Sequence, residues 1–354
     1  MGIGADRKKR FWNVKTSIRN PPQALAAALA ILGRGELVAF PTETVYGLGA
    51  DAGNERAVRR VYQVKARPPE DPLIVHVCDA PQAREYVGEF SAAAASLAEH
   101  FWPGPLTLVL PRGARISPAV SAGLDTVAIR APSHPVAQEL LRRFGRPLAA
   151  PSANRFGRTS PTTARHVLAE LAGYIPLIID GGPCGIGVES TVLDLCDDGA
   201  RILRPGAVTP GMIADTLRRA GLAAKVMMAD RHAGGQTGGW KSPGMMVRHY
   251  APQTPTYRFA AAQDTRVRRW LALQPADFHI ALLCFPDCPV FDQRERRIIL
   301  PADASACAQR LYAALRQADE LACGAILVQL PENTEGLWTA ILDRITRAAP
   351  ELPP

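Results

Sequence analysis

The sequence lacks several patterns that mark common classes of protein. No apolar run approaches the ~18 residues that a membrane-spanning helix needs, so we predict no membrane span. Neither the GxGxxG nor the GxxxxGK[ST] phosphate loop occurs in residues 256–354. The basic residues 1–10 are not followed by the apolar segment of a secretory signal, and we interpret them as a basic tail.

The cysteines and histidines form no metal-binding pattern in the sequence. The chain has seven of each, and it contains neither a CxxC pair nor an HExxH motif. An odd number of scattered cysteines is typical of reduced thiols rather than of a disulfide framework. We therefore predict a cytoplasmic protein without a zinc site.

Positive charge is concentrated in the first part of the chain. Residues 256–354 contain 11 Arg, no Lys and 12 acidic residues, a net charge of −1, whereas residues 1–255 have 30 basic and 21 acidic residues, or +9. A basic surface suits a polyanionic partner, either nucleotide phosphates or RNA. An arginine-rich composition that only raises the isoelectric point explains the same numbers.

Strands and helices alternate loosely in residues 1–220, with some consecutive strands, which predicts an α/β fold with a sheet of mixed direction. Predicted strands are residues 37–40, 73–77, 106–110, 126–130, 147–150, 176–180, 190–195 and 201–203, and predicted helices are 23–32, 54–65, 80–87, 91–100, 135–144, 162–171 and 210–220. Asn20 is the predicted cap of the first helix. Residues 221–255, rich in Gly and Pro, are a predicted linker. Residues 256–354 form a second, smaller α/β unit.

A polar segment after the first predicted strand is the most informative part of the sequence. Pro41 ends the strand because proline cannot donate to a ladder. Residues 42–46 carry two hydroxyls, a carboxylate and a phenol, and Gly47 and Gly49 follow. This density of small polar groups indicates a pocket for a small polar ligand, with the glycines letting the backbone approach it.

Four cations lie where a helix or strand ends. Lys65 and Arg67 close a predicted helix, Arg130 ends a strand, and Arg204 precedes a proline. Arginine offers a planar fork, and lysine a compact charge, for phosphate or carboxylate groups. Pairing with the helix dipole and a surface salt bridge are the ordinary alternatives.

Small polar residues occupy similar positions. Ser152 and Asn154 follow a short strand, where ligands of α/β sheets bind. Ser160 lies in a loop that ends at a predicted helix cap, Thr162, and the cap alone explains it equally well. His76 lies inside a strand, where a hydrogen-bonded core histidine is the commoner role.

Two further segments have unusual compositions. Residues 180–191 are glycine-rich and follow a strand, which suits a close approach of the backbone to a ligand or a simple turn. Residues 241–252 of the linker are too specific for a passive tether. Their cations and Tyr250 are placed to fold over a bound ligand as a lid.

Eight segments resemble, in the same order, those of the long, two-domain Sua5 branch of the Sua5/YrdC family. They are PTETVYGLGADA (41–52), KARPPEDPLIVH (65–76), FWPGPLTLVL (101–110), TVAIRAPSHP (126–135), APSAN (150–154), ESTVLD (189–194), ILRPG (202–206) and SPGMMVRHYAP (242–252). Any one of them is weak by itself, whereas eight in the family's order are specific.

The resemblance implies a threonylcarbamoyl-AMP synthase. L-Threonine, bicarbonate and ATP would give L-threonylcarbamoyladenylate and pyrophosphate, and the product would pass to the tRNA threonylcarbamoyl transferase machinery that makes t6A. Mg²⁺ is expected on the ATP oxygens without a metal cage of protein side chains. The implied fold is a twisted mixed-sheet YrdC-like catalytic domain (1–220), a linker or lid (221–255) and a smaller Rossmann-like α/β C-terminal domain (256–354).

The same resemblance assigns residue roles. Those expected to contact L-threonine are Thr44, His76, Arg130, Ala150 and Ser190. Those expected to contact ATP are Arg67, Asp71, Thr126, Ser152, Ser160, Arg204 and Tyr250. Those expected in the catalytic set are Lys65, Arg67, Ser152 and Asn154. Ala150 offers only its backbone, and Asp71 stands where the family usually has asparagine, so Mg²⁺ or Arg67 must screen its charge from phosphates.

Two other functions stay open from the residues alone. A non-catalytic RNA-binding module would place the basic part of the chain on tRNA or another RNA. A carbamoyl-transfer maturation enzyme would share the core, but it would add zinc-finger cysteine pairs and an acylphosphatase-like module, which the sequence does not show.

Overall fold

The computed structural model describes residues 14–196, 199–222, 225–229 and 249–354, so the predicted lid residues 241–248 lie outside the described chain. Within it the strands are β1 (Ser17–Arg19), β2 (Val38–Phe40), β3 (Gly47–Asp51), β4 (Ile74–His76), β5 (Leu106–Pro111), β6 (Thr126–Arg130), β7 (Leu148–Ala149), β8 (Leu177–Ile179), β9 (Thr191–Asp194), β10 (Ala200–Arg204), β11 (Val226–Met228), β12 (Thr256–Phe259), β13 (Ile280–Cys284), β14 (Glu295–Ile299) and β15 (Ala325–Gln329). The helices are α1 (Gln23–Gly33), α2 (Glu55–Lys65), α3 (Ala80–Arg84), α4 (Ala92–Phe101), α5 (Pro135–Phe144), α6 (Ala164–Leu171), α7 (Pro210–Arg219), α8 (Asp264–Ala272), α9 (Ala304–Glu320) and α10 (Leu337–Ala348). Among the residues placed, none of these helices has the length and apolarity to cross a bilayer.

The larger sheet runs β1-β8-β2-β3-β7-β4-β6-β5-β9-β10-β11. It mixes directions, since β4 and β6 are parallel whereas β5 and β6 are antiparallel. Its central strands are buried on both faces: Ala39 of β2 joins one hydrophobic cluster, and its neighbours Val38 and Phe40 join another. The predicted α/β fold with a mixed sheet is confirmed.

Part of the polar segment after β2 is a strand. β3 runs antiparallel to β2 and pairs Gly49 with Val38. A Cβ on Gly49 would lie 2.8 Å from the Phe40 ring, so glycine is needed for that ring to pack across the hairpin. The prediction that Gly49 brings the backbone to a ligand is therefore wrong, whereas Gly47 does line the pocket described below.

The sequence pattern missed elements that depend on distant partners. β1 is a short, partly exposed strand that pairs with β8, and the charged β14 is held at a sheet edge by β13. Two cap predictions were also wrong. The residue before α1 is Pro22 rather than Asn20, and α6 is capped by the hydroxyl of Thr163 rather than of Thr162.

The smaller sheet has the order β12-β15-β13-β14, and all its pairs are parallel. Ala281 and Leu283 of β13 pack in the cluster that contains α9 and α10, while Ile280 and Leu282 pack in the cluster that contains α8. Helices therefore cover both faces, and the Rossmann-like prediction is confirmed.

The glycine-rich loop before β9 packs the two sheets together. Gly187 has a φ of +84°, and a Cβ there would lie 2.4 Å from the carbonyl oxygen of Ala308 on α9. Val45 and Val188, from the first part of the chain, belong to the same buried cluster as Tyr312 of α9. The backbone at Gly187 therefore lies close to α9, a helix that packs on the smaller sheet.

Candidate active site

A pocket at the ends of β2, β4, β6 and β10 gathers most of the predicted ligand contacts. It is lined by all five residues predicted for L-threonine, namely Thr44, His76, Arg130, Ala150 and Ser190. It is also lined by four residues predicted for ATP, namely Arg67, Ser152, Arg204 and Tyr250. The fold thus brings together side chains that are far apart in the sequence.

Arg130 is held in a fixed orientation in this pocket. Its Nη1 donates to Thr44 Oγ1 at 2.9 Å, and its Nε donates to the carbonyl oxygen of Gly104 at 3.2 Å. Its Nη2 lies 2.6 Å from Glu43 Oε1, an ion pair without hydrogen-bond angles. An oriented guanidinium beside a hydroxyl suits recognition of a carboxylate. Glu43 was not singled out from the sequence, although it lies in the first motif.

His76 is a neutral imidazole at physiological pH. Burial, with the charge of Arg130 as a second cause, lowers the pKa of His76 to about 3. Its ring meets Phe40 edge-on, with ring centroids 6.0 Å apart. Nδ1 of His76 has no hydrogen-bond partner among the described residues, so it is a candidate ligand contact.

The stability of the folded chain is expected to fall as the pH is lowered below 6.5. Burial lowers the pKa of His76 and His249 from 6.5 to about 3, and that of His166 to about 4. Between these values the unfolded chain binds protons that the folded chain rejects, which costs about 1.4 kcal/mol per histidine and pH unit. Urea unfolding at several pH values measures the slope. His76→Leu is expected to reduce it, and an unchanged slope would contradict the assignment of His76.

Arg67 is paired with Asp71 in a buried site. Its Nη2 lies 2.7 Å from Asp71 Oδ1, and its Nε and Nη2 donate to the carbonyl oxygens of Asp71 and Pro72 at 2.9 and 2.8 Å. Burial raises the pKa of Asp71, and the Arg67 charge opposes this. Asp71 does not line the pocket, and its carboxylate is paired with Arg67. Arg67 therefore screens the negative charge that aspartate, in place of the family's asparagine, would present to phosphates.

Lys65 and Asn154 do not line the pocket, and both side chains donate to backbone carbonyl oxygens. Lys65 Nζ donates to the carbonyl oxygens of Ser152 and Asn154 at 2.5 and 2.6 Å. The Asn154 amide donates to the carbonyl oxygens of Arg155 and Arg158, both at 2.8 Å. Burial lowers the pKa of Lys65 well below its usual value. Lys65 thus holds the backbone of Ser152, which does line the pocket, whereas the Asn154 amide holds the residues that follow it.

Ser190 and Arg204 form a second polar wall. The Ser190 and Thr107 hydroxyl oxygens are 2.8 Å apart. Arg204 Nη2 donates to Ser190 Oγ, and Arg204 Nε donates to the carbonyl oxygen of Ser190, both at 3.1 Å. Burial lowers the pKa of Arg204.

Glu189 connects the pocket to the second sheet. Ser160 Oγ donates to its Oε1 at 2.6 Å, while Tyr312 OH and Arg344 Nε donate to its Oε2, both at 2.8 Å. Burial opposes ionisation of Glu189, but Arg344, Arg204 and the bond from Ser160 together lower its pKa to about 2. Sequence reasoning missed Glu189, Tyr312 and Arg344. Glu189 carries a signal, since it opens the ESTVLD motif, whereas the two residues on α9 and α10 carry none.

Tyr250 and His249 close the pocket from the linker side. The Tyr250 ring stacks on Tyr312 with centroids 5.7 Å apart, and Arg344 lies 5.3 Å from the Tyr250 ring. The Tyr250 hydroxyl is buried and has no hydrogen-bond partner among the described residues. The cavity that remains is about 40 Å³, room for a few waters but far too small for ATP. Some lining residues must therefore move before a nucleotide can enter.

Besides Asp71, two more of the predicted ATP contacts, Ser160 and Thr126, lie outside the pocket lining. Ser160 reaches the pocket only through Glu189. Thr126 pairs with Pro111, at the end of β6 opposite to Arg130, so its contact with ATP stays a prediction without support from this geometry. In the part of the chain that is described, no three His, Cys, Asp or Glu side chains come together as a metal-binding group.

Two family models match the chain. The Sua5/YciO/YrdC family described as "Telomere recombination" matches residues 30–206. The family described as "Threonylcarbamoyl-AMP synthase, C-terminal domain" matches residues 208–350. Between them the matches include strands of both sheets.

Full-length relatives and a solved structure are similar over nearly the whole chain. The threonylcarbamoyl-AMP synthase of Bacillus subtilis is 39% identical, over 97% of this chain and 97% of its own. The enzyme of the same name from Pyrococcus abyssi is 38% identical, over 91% of this chain and 93% of its own. The crystal structure of P. abyssi Sua5 complexed with L-threonine has a TM-score of 0.84 at 34% identity, covering 95% of this chain and 99% of that one.

Proposed function

The chain belongs to the Sua5 family of threonylcarbamoyl-AMP synthases, and we propose that L-threonine and ATP meet in the pocket between Arg130 and Arg67. The enzyme makes L-threonylcarbamoyladenylate for t6A synthesis. One observation carries the assignment of the pocket: all five residues predicted for L-threonine line the same cavity as two cations predicted for ATP.

L-Threonine is proposed to lie against Arg130. The guanidinium is already oriented by Thr44 and Glu43, so little side-chain freedom is lost when it binds the substrate carboxylate. The neutral His76 and the hydroxyl of Ser190 offer contacts to the polar groups of threonine. A P. abyssi relative whose structure contains L-threonine supports this choice of ligand.

The reaction needs positioned charges rather than a covalent enzyme intermediate. The threonine amine combines with bicarbonate, losing water, to form a carbamate. A carbamate oxygen then attacks the α-phosphorus of ATP, the bond to the β-phosphate oxygen breaks, and pyrophosphate leaves. Arg67 and Arg204 are proposed to neutralise the phosphate charge, with the Ser152 hydroxyl as a further contact, so catalysis rests on orientation and electrostatics.

Mg²⁺ is proposed to bind through the ATP phosphates. The carboxylates beside the pocket residues, Glu43, Asp71 and Glu189, are already paired with Arg130, Arg67 and Arg344. Such a donor set fits a cation held by phosphate oxygens and water rather than by the protein. When bound, Mg²⁺ would neutralise charge on the phosphates, and Arg67 and Arg204 would orient them.

The linker is proposed to act as a lid between a catalytic domain (residues 1–220) and a C-terminal domain (256–354). The buried Tyr250 hydroxyl, which has no hydrogen-bond partner among the residues described, lines the pocket, and the 40 Å³ cavity must widen to admit ATP. Residues 241–248, which carry further cations of this lid, lie outside the described residues.

We place the enzyme in the cytoplasm, where it would pass its product to the tRNA threonylcarbamoyl transferase machinery. Contact with tRNA through the basic residues 1–255 is part of this proposal. The non-catalytic RNA-binding alternative predicts a steep salt dependence of RNA binding without any nucleotide chemistry. Membership of a synthase family does not favour it.

Pyrophosphate release tests the proposal. Purified protein with Mg-ATP, L-threonine and bicarbonate is expected to release pyrophosphate, and omission of L-threonine or of bicarbonate is expected to stop it. L-Serine, which lacks the threonine methyl group, is a matched control for substrate fit and is expected to react more slowly. Release of pyrophosphate that does not depend on threonine would contradict the proposal.

A further inference from the structure

A second cavity lies in the smaller sheet, apart from the active site. It has a volume of about 420 Å³ and lies at the carboxyl ends of β13 and β15. Small-molecule sites occupy about 300–1,000 Å³, and ligands of parallel α/β sheets bind at this edge. None of the residues that we assign to the synthase reaction lines it.

Gln329 presents a buried amide to this cavity. It is the last residue of β15 and is only 4% exposed. Its Oε1 accepts the backbone N–H of Phe285 at 2.8 Å, which fixes the orientation of the amide. The NH₂ group has no hydrogen-bond partner among the described residues and is not enclosed by protein, so it is free to donate into the cavity. A ligand acceptor would satisfy it.

The other lining residues define the chemistry of the ligand. Phe285 and Trp338 form flat apolar walls, with ring centroids 5.8 Å apart and planes at 71°. Asp287 and Glu332 are exposed at the rim, and no lysine or arginine is among the described residues that line the cavity. Carboxylates at strand ends accept hydrogen bonds from ribose hydroxyls, and they repel phosphate.

We propose that this cavity binds a ribonucleoside that carries no phosphate. The base packs against Trp338 and Phe285, and the Gln329 NH₂ donates to a ring nitrogen or carbonyl oxygen of the base. The ribose hydroxyls donate to Asp287 or Glu332. The rim of this cavity is negatively charged, whereas the active site is lined by arginines that attract the phosphates of ATP. The cavity therefore gives the C-terminal domain a ligand-binding role of its own.

Calorimetric titration of the full chain with adenosine, guanosine, cytidine and uridine, each alone, tests the proposal. At least one nucleoside is expected to bind with a Kd below about 1 mM, and its 5′-monophosphate is expected to bind at least about tenfold more weakly at this site. Gln329→Glu keeps the acceptor for Phe285 but removes the NH₂ donor, and it is expected to weaken nucleoside binding at least about tenfold.

Matched variants distinguish the two sites. Trp338→Ala is expected to weaken nucleoside binding, and Trp338→Phe to restore most of it, with circular dichroism as the check on folding. Arg67→Ala, in the active site, is expected to leave nucleoside binding unchanged. Absence of binding by all four nucleosides at millimolar concentration would overturn the proposal. So would binding that is lost in Arg67→Ala and unaffected by Gln329→Glu, or equal binding of the monophosphate at this site.

Discussion

Replacing Arg67 by alanine is expected to lower kcat/KM for pyrophosphate release by about 100-fold or more, a loss of about 2.7 kcal/mol of transition-state stabilisation. The guanidinium lines the pocket and is oriented by the carbonyl oxygens of Asp71 and Pro72. Its removal withdraws a fixed positive charge from the place where negative charge must be stabilised. Steady-state kinetics with varied ATP measures the effect.

The controls for Arg67 separate catalysis from folding. Alanine leaves the carboxylate of Asp71 buried without its partner, which costs about 3–5 kcal/mol of stability. The double variant Arg67→Ala/Asp71→Asn removes that buried charge and is expected to fold while staying inactive. Arg67→Lys keeps the charge but loses the planar fork, and it is expected to retain more activity than alanine. A fully active Arg67→Ala variant would remove this residue from the site.

Replacing Arg344 by methionine is expected to lower activity strongly although Arg344 lies on α10 and does not line the pocket. Its guanidinium is fully buried, bonds to Glu189 and donates to the carbonyl oxygen of Pro205 at 3.0 Å. Without it, Glu189 is buried with less compensating charge, and the placement of Ser160 and Tyr250 is weakened. We expect a loss of about 3–5 kcal/mol in stability, together with a higher KM for ATP.

A double-mutant cycle with Glu189→Gln measures this connection. The double variant is expected to lose less stability than the sum of the losses of the two single variants, with a coupling energy of about 0.5–3 kcal/mol. Because the pKa of Glu189 is lowered from 4.5 to about 2, its contribution is present above pH 4.5 and is lost as the pH falls toward 2. Additive effects at neutral pH would show that the ion pair between Arg344 and Glu189 does not couple α10 to the pocket.

Much of the site was predictable because it follows local rules. Arg130 ends a strand and Ser152 follows one, and strand ends at the edge of an α/β sheet meet in space. The other predicted site residues were identified from the family motifs. Both residues do line one pocket with Tyr250, which comes from the predicted linker.

Contacts between distant elements were not predictable. Lys65 is of the residue type expected for a catalytic cation, but its Nζ donates to the carbonyl oxygens of Ser152 and Asn154, and it does not line the pocket. Gly49 was predicted to bring the backbone close to a ligand, and only the position of the Phe40 ring across the hairpin explains it. Arg344 and Tyr312 lie on ordinary amphipathic helices, so no local pattern marks them as partners of Glu189.

Mass spectrometry of the adenylate formed from bicarbonate labelled with heavy carbon tests the central claim most directly. The pocket is proposed to hold the threonine carboxylate on Arg130, which leaves the amine free to form a carbamate that attacks ATP. We predict a threonyl-carbamoyl adenylate that carries the heavy carbon and forms only when L-threonine, bicarbonate and Mg-ATP are all present. A threonyl adenylate without the label, formed through the carboxylate, would contradict this account.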